Sequence, residues 1–405
     1  MYEKQATRSC IANQMRYNGK SHTLEVPMIS VQPISSKHDW NLFFEFPNTL
    51  YRDNPCYVPT LLLDERWNFN PRKNPAFEYC ETIAFLAKQD GKVVGRVAAL
   101  INHKLNKAKE QAYMRFTRYD VIDDIEVSRL LFAAVFAWGR EKGMDTIIGP
   151  IGFSDLDKQG LLVDGFDQMG MFITLYNHPY YHDHLTQLGF AKDIDWVEYK
   201  VFVPKKPDPR IERICEIAQK RHGYRLLSFS KKKEVIPYAH QMFHMYNESF
   251  AKLYGFCPLS DGQIDMAIKQ FFSLVSLDYI FVVVDALQSV IGFGIMVPSL
   301  SKPLRASRGR IFPLGFLHIL KALKTHEVLD MYLIAVKPEY FGRGVNAIIM
   351  HEGIKRAIAN GVLYAETGPE LENNDNVQTQ WKSFHTEQHK RRRCYIRPLT
   401  EESVQ

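Results

Sequence analysis

Two stretches of this chain repeat one another at long separation, and an internal duplication strongly constrains how a chain can fold. Residues 85–100, FLAKQDGKVVGRVAAL, align with residues 282–297, VVVDALQSVIGFGIMV, and each stretch has a central glycine. A later apolar run in each half ends in a Gly-Pro pair, at Gly149-Pro150 and Gly368-Pro369. The β-branched runs and the Asp-Gly dipeptide of the first stretch predict a β-hairpin. Together these repeats predict two α+β units in tandem.

The segment 203–210, VPKKPDPR, marks the boundary between the two units. Its three prolines cannot continue a central strand, because proline lacks the amide hydrogen that the sheet needs. We therefore expect a loose polar leader at 1–27, an N-terminal unit at 28–203 and a C-terminal unit at 204–405. The net charge of +6 fits an anionic ligand, a membrane surface or nucleic acid, and its sign alone does not choose among them.

Residues 336–361 combine the end of an apolar strand, a turn with two glycines and an apolar helix. The first amides of a helix have no partner inside it, and the helix dipole adds positive character there. A turn containing Gly342 and Gly344 lets a phosphate oxygen reach those amides, and Lys337 and Arg343 add positive charge nearby. The same glycines also fit an ordinary tight turn, so both interpretations stay open.

The stretch VKPEYFGRGVNAIIMHEGIKRAI resembles the acyl-CoA-binding motif of the Gcn5-related N-acetyltransferase (GNAT) superfamily. The resemblance implies an α/β (α+β) fold, with a mixed central sheet flanked by helices in each unit. The superfamily's next helix carries Asn-x-x-apolar-x-x-x-aromatic, a pattern that this chain also has. The cofactor-binding residues so implied are Val336, Phe341, Gly342, Arg343, Gly344, Val345, Asn346, Asn374 and Trp381.

The chain departs from the superfamily pattern at three of these positions. Phe341 stands where Gln or Arg is usual, and Asn346 stands where Gly or Ala is usual. Trp381 often corresponds to a tyrosine that protonates the leaving thiolate, which an indole cannot do. In the first half the corresponding loop is acidic and has no glycine, with Asp120, Asp123 and Asp124 placed to repel a pyrophosphate. The N-terminal unit is therefore expected to have lost its cofactor site.

Four further stretches resemble a bacterial family of GNAT-like proteins of about this length, the YghO-like group: FPNTLYRDNPCYVPTL, KNPAFEYCE, GPIGFSDLDKQGLLVDGF and HKRRRCYI. Some relatives are associated with ceramide synthesis, in which a fatty acyl chain passes from a thioester to a sphingoid amine. The resemblance implies an N-acyltransferase that uses acyl-CoA, acetyl or longer, or an acyl carrier thioester. A lipid-like amine is the favoured acceptor, ahead of a small amine or a protein lysine. The alternative is a degenerate GNAT module whose basic face binds membrane or nucleic acid, although no nucleic-acid motif accompanies it.

Acyl transfer to an amine needs a group that accepts the amine's proton. Glu366, Glu370 and Glu372 alternate after the cofactor helix and would share a face where the strand stays regular. We take Glu366, nearest the expected cleft, as the catalytic carboxylate. His385 is a second candidate base, and with His389 it would lie on one face of a helix. Since no third ligand accompanies this pair, no metal is expected. Solvated side chains are the alternative for each candidate.

Positive charge concentrates in two further places. Residues 390–393, KRRR, fit a phosphate of coenzyme A, a lipid headgroup or RNA, or else a solvated basic patch. The segment 297–328 is strongly apolar and carries flanking positive charges, so it fits an acyl-chain lid, an interfacial helix or a helix buried against its own domain. The residues at 1–27 lack the apolar core of a signal peptide, and no stretch approaches the roughly 20 apolar residues of a membrane-spanning helix, so we expect neither feature. We expect a cytoplasmic protein, peripheral at the inner membrane if the segment is interfacial.

Overall fold

The computed structural model describes residues 28–271 and 275–399. The predicted leader at 1–27 lies outside the described residues. The strands are β1 (Ile29–Pro33), β2 (Cys80–Gln89), β3 (Lys92–Asn102), β4 (Tyr113–Val121), β5 (Thr146–Gly149), β6 (Leu161–Asp164), β7 (Ala191–Phe202), β8 (Arg225–Leu226), β9 (Ile280–Val284), β10 (Val290–Pro298), β11 (Val328–Val336), β12 (Tyr364–Thr367), β13 (Glu370–Leu371) and β14 (Thr386–Pro398).

Helices flank these strands in both halves. They are α1 (Lys37–Leu50), α2 (Leu62–Asn68), α3 (His103–Lys109), α4 (Ile125–Glu141), α5 (Tyr180–Gln187), α6 (Pro209–His222), α7 (Ile236–Ser249), α8 (Asp261–Phe271), α9 (Ser301–Ser307), α10 (Gly315–Ala322), α11 (Val345–Ala359) and α12 (Asp375–Trp381). Among the described helices, none combines the length and apolarity that crossing a bilayer requires.

The strands form one mixed sheet, ordered β1-β2-β3-β4-β5-β14-β7-β12-β11-β10-β9-β8, with β6 on β14 and β13 on β7. Its two halves repeat one arrangement. Antiparallel strands β1 to β4 end in the parallel pair β4 and β5, and antiparallel strands β8 to β11 end in the parallel pair β11 and β12. A helix connects each parallel pair, α4 in one half and α11 in the other. This architecture confirms the predicted α/β fold class with tandem units.

The glycine shared by the two repeated hairpins has the same role in each half. A Cβ at Gly95 would lie 2.8 Å from Leu131 of α4, and a Cβ at Gly292 would lie 2.5 Å from Val345 of α11. Real Cβ atoms do not approach this closely, so glycine lets the connecting helix pack directly on the sheet. The repeat therefore reflects a packing requirement common to both units.

The last strand of each half pairs into the other half. Strand β7 belongs in sequence to the first half and pairs with β12, whereas β14, at the end of the chain, pairs with β5. The two closing strands also pair with each other. The division at 203/204 stays a prediction, and the hydrogen-bonded sheet continues across it.

The structure contradicts the helix and the solvated basic patch expected at 385–393. Residues 386–398 form strand β14, so His385 and His389 share no helix face. Lys390 and Arg392 are each 1% exposed. Both pair with Glu198 of β7, and the Lys390 Nζ to Glu198 Oε2 distance is 2.9 Å. The basic residues tolerate a central strand because acidic side chains of the neighbouring strands neutralise them.

Replacing Lys390 with methionine is expected to destabilise the fold strongly. The Lys390→Met variant leaves Glu198 and Glu366 buried without their ammonium partner, at a cost of about 3–5 kcal/mol in the free energy of unfolding. Lys192→Met is the matched control, because the Lys192 side chain is 40% exposed and its pairs contribute little. Its cost should stay within about 1 kcal/mol. Denaturant unfolding measures both, and equal losses would contradict the buried-pair interpretation.

Candidate functional site

A cavity opens where the two parallel strands of the C-terminal unit separate. Strands β11 and β12 pair over four residues, 328–331 with 364–367. Beyond this point β11 continues to Val336. The segment after β12 bends at Gly368-Pro369 and pairs with β7 as β13. The cavity at this divergence has a volume of about 260 Å³. It is lined by β11 between Leu329 and Ile334, by the end of β12 and by α11 from Ile349 to Ala357, so it lies beside the later turns of that helix.

Both faces of the sheet and both units line this cavity. Residues of α11, such as Ile349 and Ala357, lie along it, as do Tyr246 of α7 and Phe250, which follows that helix directly. The N-terminal unit adds the loop that follows β5, at 155–159. The helix α12 adds Asn374, Val377 and Trp381. The lining is mostly apolar, so the few polar groups within it stand out.

Glu370 is the first of these polar groups. It lies on β13 beside the cavity, and the Trp381 indole Nε1–H donates to its two carboxylate oxygens at 3.0 and 2.9 Å. Burial raises the pKa of Glu370 to about 7, against the opposing effect of the Trp381 hydrogen bond. A carboxyl group with this pKa exchanges a proton readily near neutral pH.

Asp155 is a second carboxyl group in the same cavity. Its Oδ2 accepts a hydrogen bond from the Tyr246 hydroxyl, and its buried Oδ1 has no partner among the described residues. Burial raises the pKa of Asp155 to about 6, although the Tyr246 hydrogen bond opposes the change. Sequence reasoning missed this residue. The available signal was its place in GPIGFSDLDKQGLLVDGF, one of the stretches that carry the family resemblance.

The turn before α11 exposes the start of that helix. Gly342 and Gly344 have φ values of +72° and +84°, which glycine adopts without strain. Gly344 is the residue that caps α11, and having no side chain it leaves the first amides of the helix uncapped. A Cβ at Gly342 would meet nothing within 4 Å, and the Phe341 side chain is 60% exposed rather than packed over the turn. These features fit an anion at the helix start.

Gly344 also has a purely structural reason to be glycine. A Cβ at this position would lie 2.7 Å from the Cβ of Ala218, so helix α6 itself approaches the turn closely. The two glycines therefore differ. Gly344 is required by the close packing of α6, whereas Gly342 faces open space. Of the two, Gly342 is the better position at which to test a phosphate contact.

The other predicted cofactor residues surround the cavity and the turn. Val336 ends β11, and Val345 is buried against the sheet at the start of α11. The Asn346 side chain donates to Gln380 at 3.2 Å, which ties α11 to α12. Asn374 and Trp381 line the cavity. Arg343 is exposed, with its guanidinium carbon 5.7 Å from the Tyr340 ring centroid.

Neither predicted catalytic residue lines the cavity. Glu366 contacts the Lys390 ammonium group, and its carboxylate lies 3.2 Å from His389 Nε2. Although burial acts in the opposite direction, these two neighbours hold the pKa of Glu366 below its ordinary value. His385 is exposed and stacks on Phe202, with ring centroids 4.7 Å apart. Their catalytic roles stay predictions, and the geometry favours Glu370.

Glu198, Glu366 and His389 approach one another closely enough to hold a metal ion, since their ligand atoms all lie within 4.8 Å. However, the Lys390 ammonium group pairs with both carboxylates of this cluster. A buried ammonium group already supplies the positive charge that the two carboxylates require. The cluster therefore fits a structural ion pair.

Helix α4, the counterpart of α11 in the N-terminal unit, begins differently. The Asp124 carboxylate accepts a hydrogen bond from the Glu126 amide at 2.9 Å, in the first turn of the helix. A carboxylate at this position occupies an amide and repels a phosphate. This contact supports the proposal that the N-terminal unit has no cofactor site of its own.

Comparison with solved structures agrees with this architecture. A tandem GNAT protein from the clavulanic acid biosynthesis pathway superposes with a TM-score of 0.55 at 12% identity, covering 93% of this chain and 100% of that protein. A glucosamine N-acetyltransferase region of a fungal multidomain β-N-acetylglucosaminidase gives a TM-score of 0.56 at 12% identity, over 92% of this chain and 38% of that protein. The chain is therefore a tandem GNAT-fold protein.

Sequence comparison places it more narrowly. The chain is 27% identical over 382 residues to Protein YghO of Escherichia coli (strain K12), covering 91% of this chain and 95% of that protein. It is 25% identical over 324 residues to the bacterial ceramide synthase of Caulobacter vibrioides, covering 77% of this chain and 81% of that protein. No family model matches the chain. These relatives confirm the resemblance to the YghO-like group.

Proposed function

We propose that the protein is an N-acyltransferase that moves an acyl group from acyl-CoA to an amine, with the thioester lying between β11 and β12. The cavity at the divergence of these parallel strands carries the proposal. It borders α11 from Ile349 onward, so an extended ligand held at the helix start would run along α11 to place its far end in the cavity. The tandem GNAT fold supports the same activity.

The donor's diphosphate is proposed to bind at the start of α11. The first amides of a 15-residue helix offer unpaired donors, and Gly342 leaves the approach open. Arg343 and Lys337 add positive charge beside the turn. The pantetheine and thioester then extend into the gap, where the strand edge of β11 beyond residue 331 no longer pairs with β12.

Glu370 is proposed as the general base. An ammonium group cannot attack a thioester, so the acceptor must first lose a proton, which the Glu370 carboxylate takes. The amine nitrogen then forms a bond to the carbonyl carbon and the carbon–sulfur bond breaks. The protonated carboxyl gives its proton to the departing thiolate, which regenerates the Glu370 carboxylate, and the second proton that the nitrogen loses as the amide forms passes to water. Trp381 holds the base through its indole N–H rather than acting as an acid.

The acceptor is proposed to be a lipid-like amine and the donor a long-chain thioester. The mostly apolar lining suits methylene groups, each of which contributes about 0.8 kcal/mol when buried. A second, wholly apolar cavity of about 50 Å³ shares Ile295, Tyr332 and Leu333 with the first and offers room for a chain end. Asp155, with an unpartnered oxygen, is placed to receive an amine or hydroxyl of the acceptor. The relative from Caulobacter vibrioides, a ceramide synthase, supports a sphingoid amine.

Placing a negative charge at the turn before α11 is expected to weaken coenzyme A binding. Gly342→Asp should raise the dissociation constant at least roughly tenfold, because the carboxylate repels the diphosphate at the helix amides. Gly342→Asn is the matched control, since Asn has the same shape and also tolerates a positive φ. Isothermal titration calorimetry measures both. Equal affinity for the two variants, or no binding by the unaltered protein, would contradict the proposed donor site.

Removing the carboxylate of Glu370 is expected to abolish most of the activity. Glu370→Gln should lower kcat roughly 10²- to 10⁴-fold, the usual contribution of a general base. In the unaltered protein kcat should rise with pH through about 7, because only ionised Glu370 accepts a proton, and the variant should lose this dependence. The assay detects the N-acyl product by mass spectrometry, with a sphingoid amine and either long-chain acyl-CoA or acetyl-CoA.

Glu366→Gln is the control for this experiment, since it tests the residue chosen from sequence alone. It should lower the thermal unfolding midpoint but keep the pH profile of kcat. If Glu366→Gln loses the profile and Glu370→Gln keeps it, the assignment of the base is wrong. If the unaltered protein transfers acetyl as fast as a long chain, the proposed donor class is wrong.

A further inference from the structure

The segment between β10 and β11 displays a cluster of exposed apolar side chains. The cluster, here called the insert surface, comprises residues that are 37 to 75% exposed: Phe312, Leu314, Phe316, Leu317 and Leu320. This cluster has five large apolar residues within nine positions, whereas elsewhere on the described surface such residues occur singly along the sequence or, at Ile214 and Ile217 of α6, as a pair. Clustered apolar exposure of this kind marks an interaction site.

The insert surface is held by a firmly packed base. Leu300, Leu304 and Ile319 are buried and pack with Val58 and Phe172 of the N-terminal unit. The segment therefore lies on the other unit, whereas one expectation from sequence was a helix buried against its own domain.

Polar contacts reinforce this base. The Leu62 amide donates to the Gly309 carbonyl at 3.0 Å, and Arg310 pairs with Glu45 at 2.9 Å. The Ser301 hydroxyl donates to the Gly170 carbonyl at 2.8 Å. Packing and polar contacts with the N-terminal unit therefore hold the segment in place. The residues of the insert surface take no part in those contacts and face outward.

The segment that carries this surface has charges of one sign, although two acidic residues outside it pair with its basic residues, Glu45 with Arg310 and Glu327 with Lys302. Residues 299–326 contain six lysines and arginines and no aspartate or glutamate. Arg308, Arg310, Lys321 and Lys324 are exposed beside the apolar residues. Apolar side chains flanked by basic ones are typical of segments that rest on anionic membranes, where the apolar groups enter the acyl boundary and the basic groups meet lipid phosphates.

We infer that the insert surface docks on the face of an anionic lipid bilayer. A second copy of the chain is a poorer occupant, because a two-fold contact would set the same uniformly positive segment against itself. Docking does not depend on the proposed N-acyltransfer. If that function holds, the docked segment joins β10 and β11, both of which line the cavity, and so brings the cavity close to lipid substrates.

Vesicle sedimentation tests this inference with the full chain. The protein should bind vesicles of phosphatidylcholine and phosphatidylglycerol much more tightly than vesicles of phosphatidylcholine alone, and added salt should weaken binding. The Leu317→Gln/Leu320→Gln double variant should lose at least roughly tenfold in affinity. The matched control is Ile214→Gln/Ile217→Gln, which alters two residues at the same helical spacing, each 49% exposed on α6. This control should bind as the unaltered protein does.

A second variant covers the case in which the leucine changes disturb folding. Lys321→Gln/Lys324→Gln alters exposed side chains and should weaken binding to the anionic vesicles roughly tenfold or more, while Lys107→Gln/Lys109→Gln on α3 should have little effect. Thermal unfolding midpoints verify that each variant is folded. The inference is overturned if the unaltered protein fails to sediment with anionic vesicles, or if control variants lose as much affinity. It is also overturned if the leucine variant dissociates an oligomer in analytical ultracentrifugation while vesicle binding persists.

Discussion

The rest of the structure depends on how the last strand of each half pairs: β7 with β12 of the second half, and β14 with β5 of the first. Strand β14 lies between β5 and β7, and its buried Lys390 and Arg392 pair with Glu198 of the neighbouring strand. Buried charges of this kind require their partners, so the register of β14 is tied to that of β7. The ion pairs therefore hold the two units together through the middle of the sheet.

The continuous sheet brings part of the N-terminal unit to the cavity of the C-terminal unit. The loop at 155–159 belongs to the N-terminal unit, yet it lines the cavity of the C-terminal unit and supplies Asp155. A unit whose own helix start is capped by Asp124 thus contributes to the cavity of the other unit. The tandem arrangement is explained if the N-terminal unit serves as part of the wall around the acceptor.

Local sequence signals predicted the elements well. The Asp-Gly turn forms the β2–β3 hairpin with positive φ at both residues, and the apolar periodicity of 345–359 forms α11. The prediction failed at 385–393, where histidine spacing and a basic run indicate a helix surface. The acidic partners that stabilise this run as a buried strand, Asp195 and Glu198, lie far away in the sequence. A single sequence does not reveal such long-range pairing.

The candidate site was likewise predictable from the sequence only in part. The turn and helix start at 342–345 follow from glycine positions and helix physics. The choice among Glu366, Glu370 and Glu372 depended on how the strand continues past Pro369. The bend there places Glu366 in a buried ion pair, Glu370 beside the cavity and Glu372 among Lys192 and Arg391. The three carboxylates thus occupy three different surroundings, and the expected nearness of Glu366 to the cleft did not identify the carboxylate that lies beside the cavity.

The most direct test of the account is a crystal structure of the protein with a non-hydrolysable thioether analogue of a long-chain acyl-CoA. We expect the diphosphate at the first amides of α11, the sulfur between β11 and β12 beside Glu370, and the acyl chain in the apolar cavity. An analogue bound elsewhere on the protein, with the gap between the two strands filled by side chains, would contradict it.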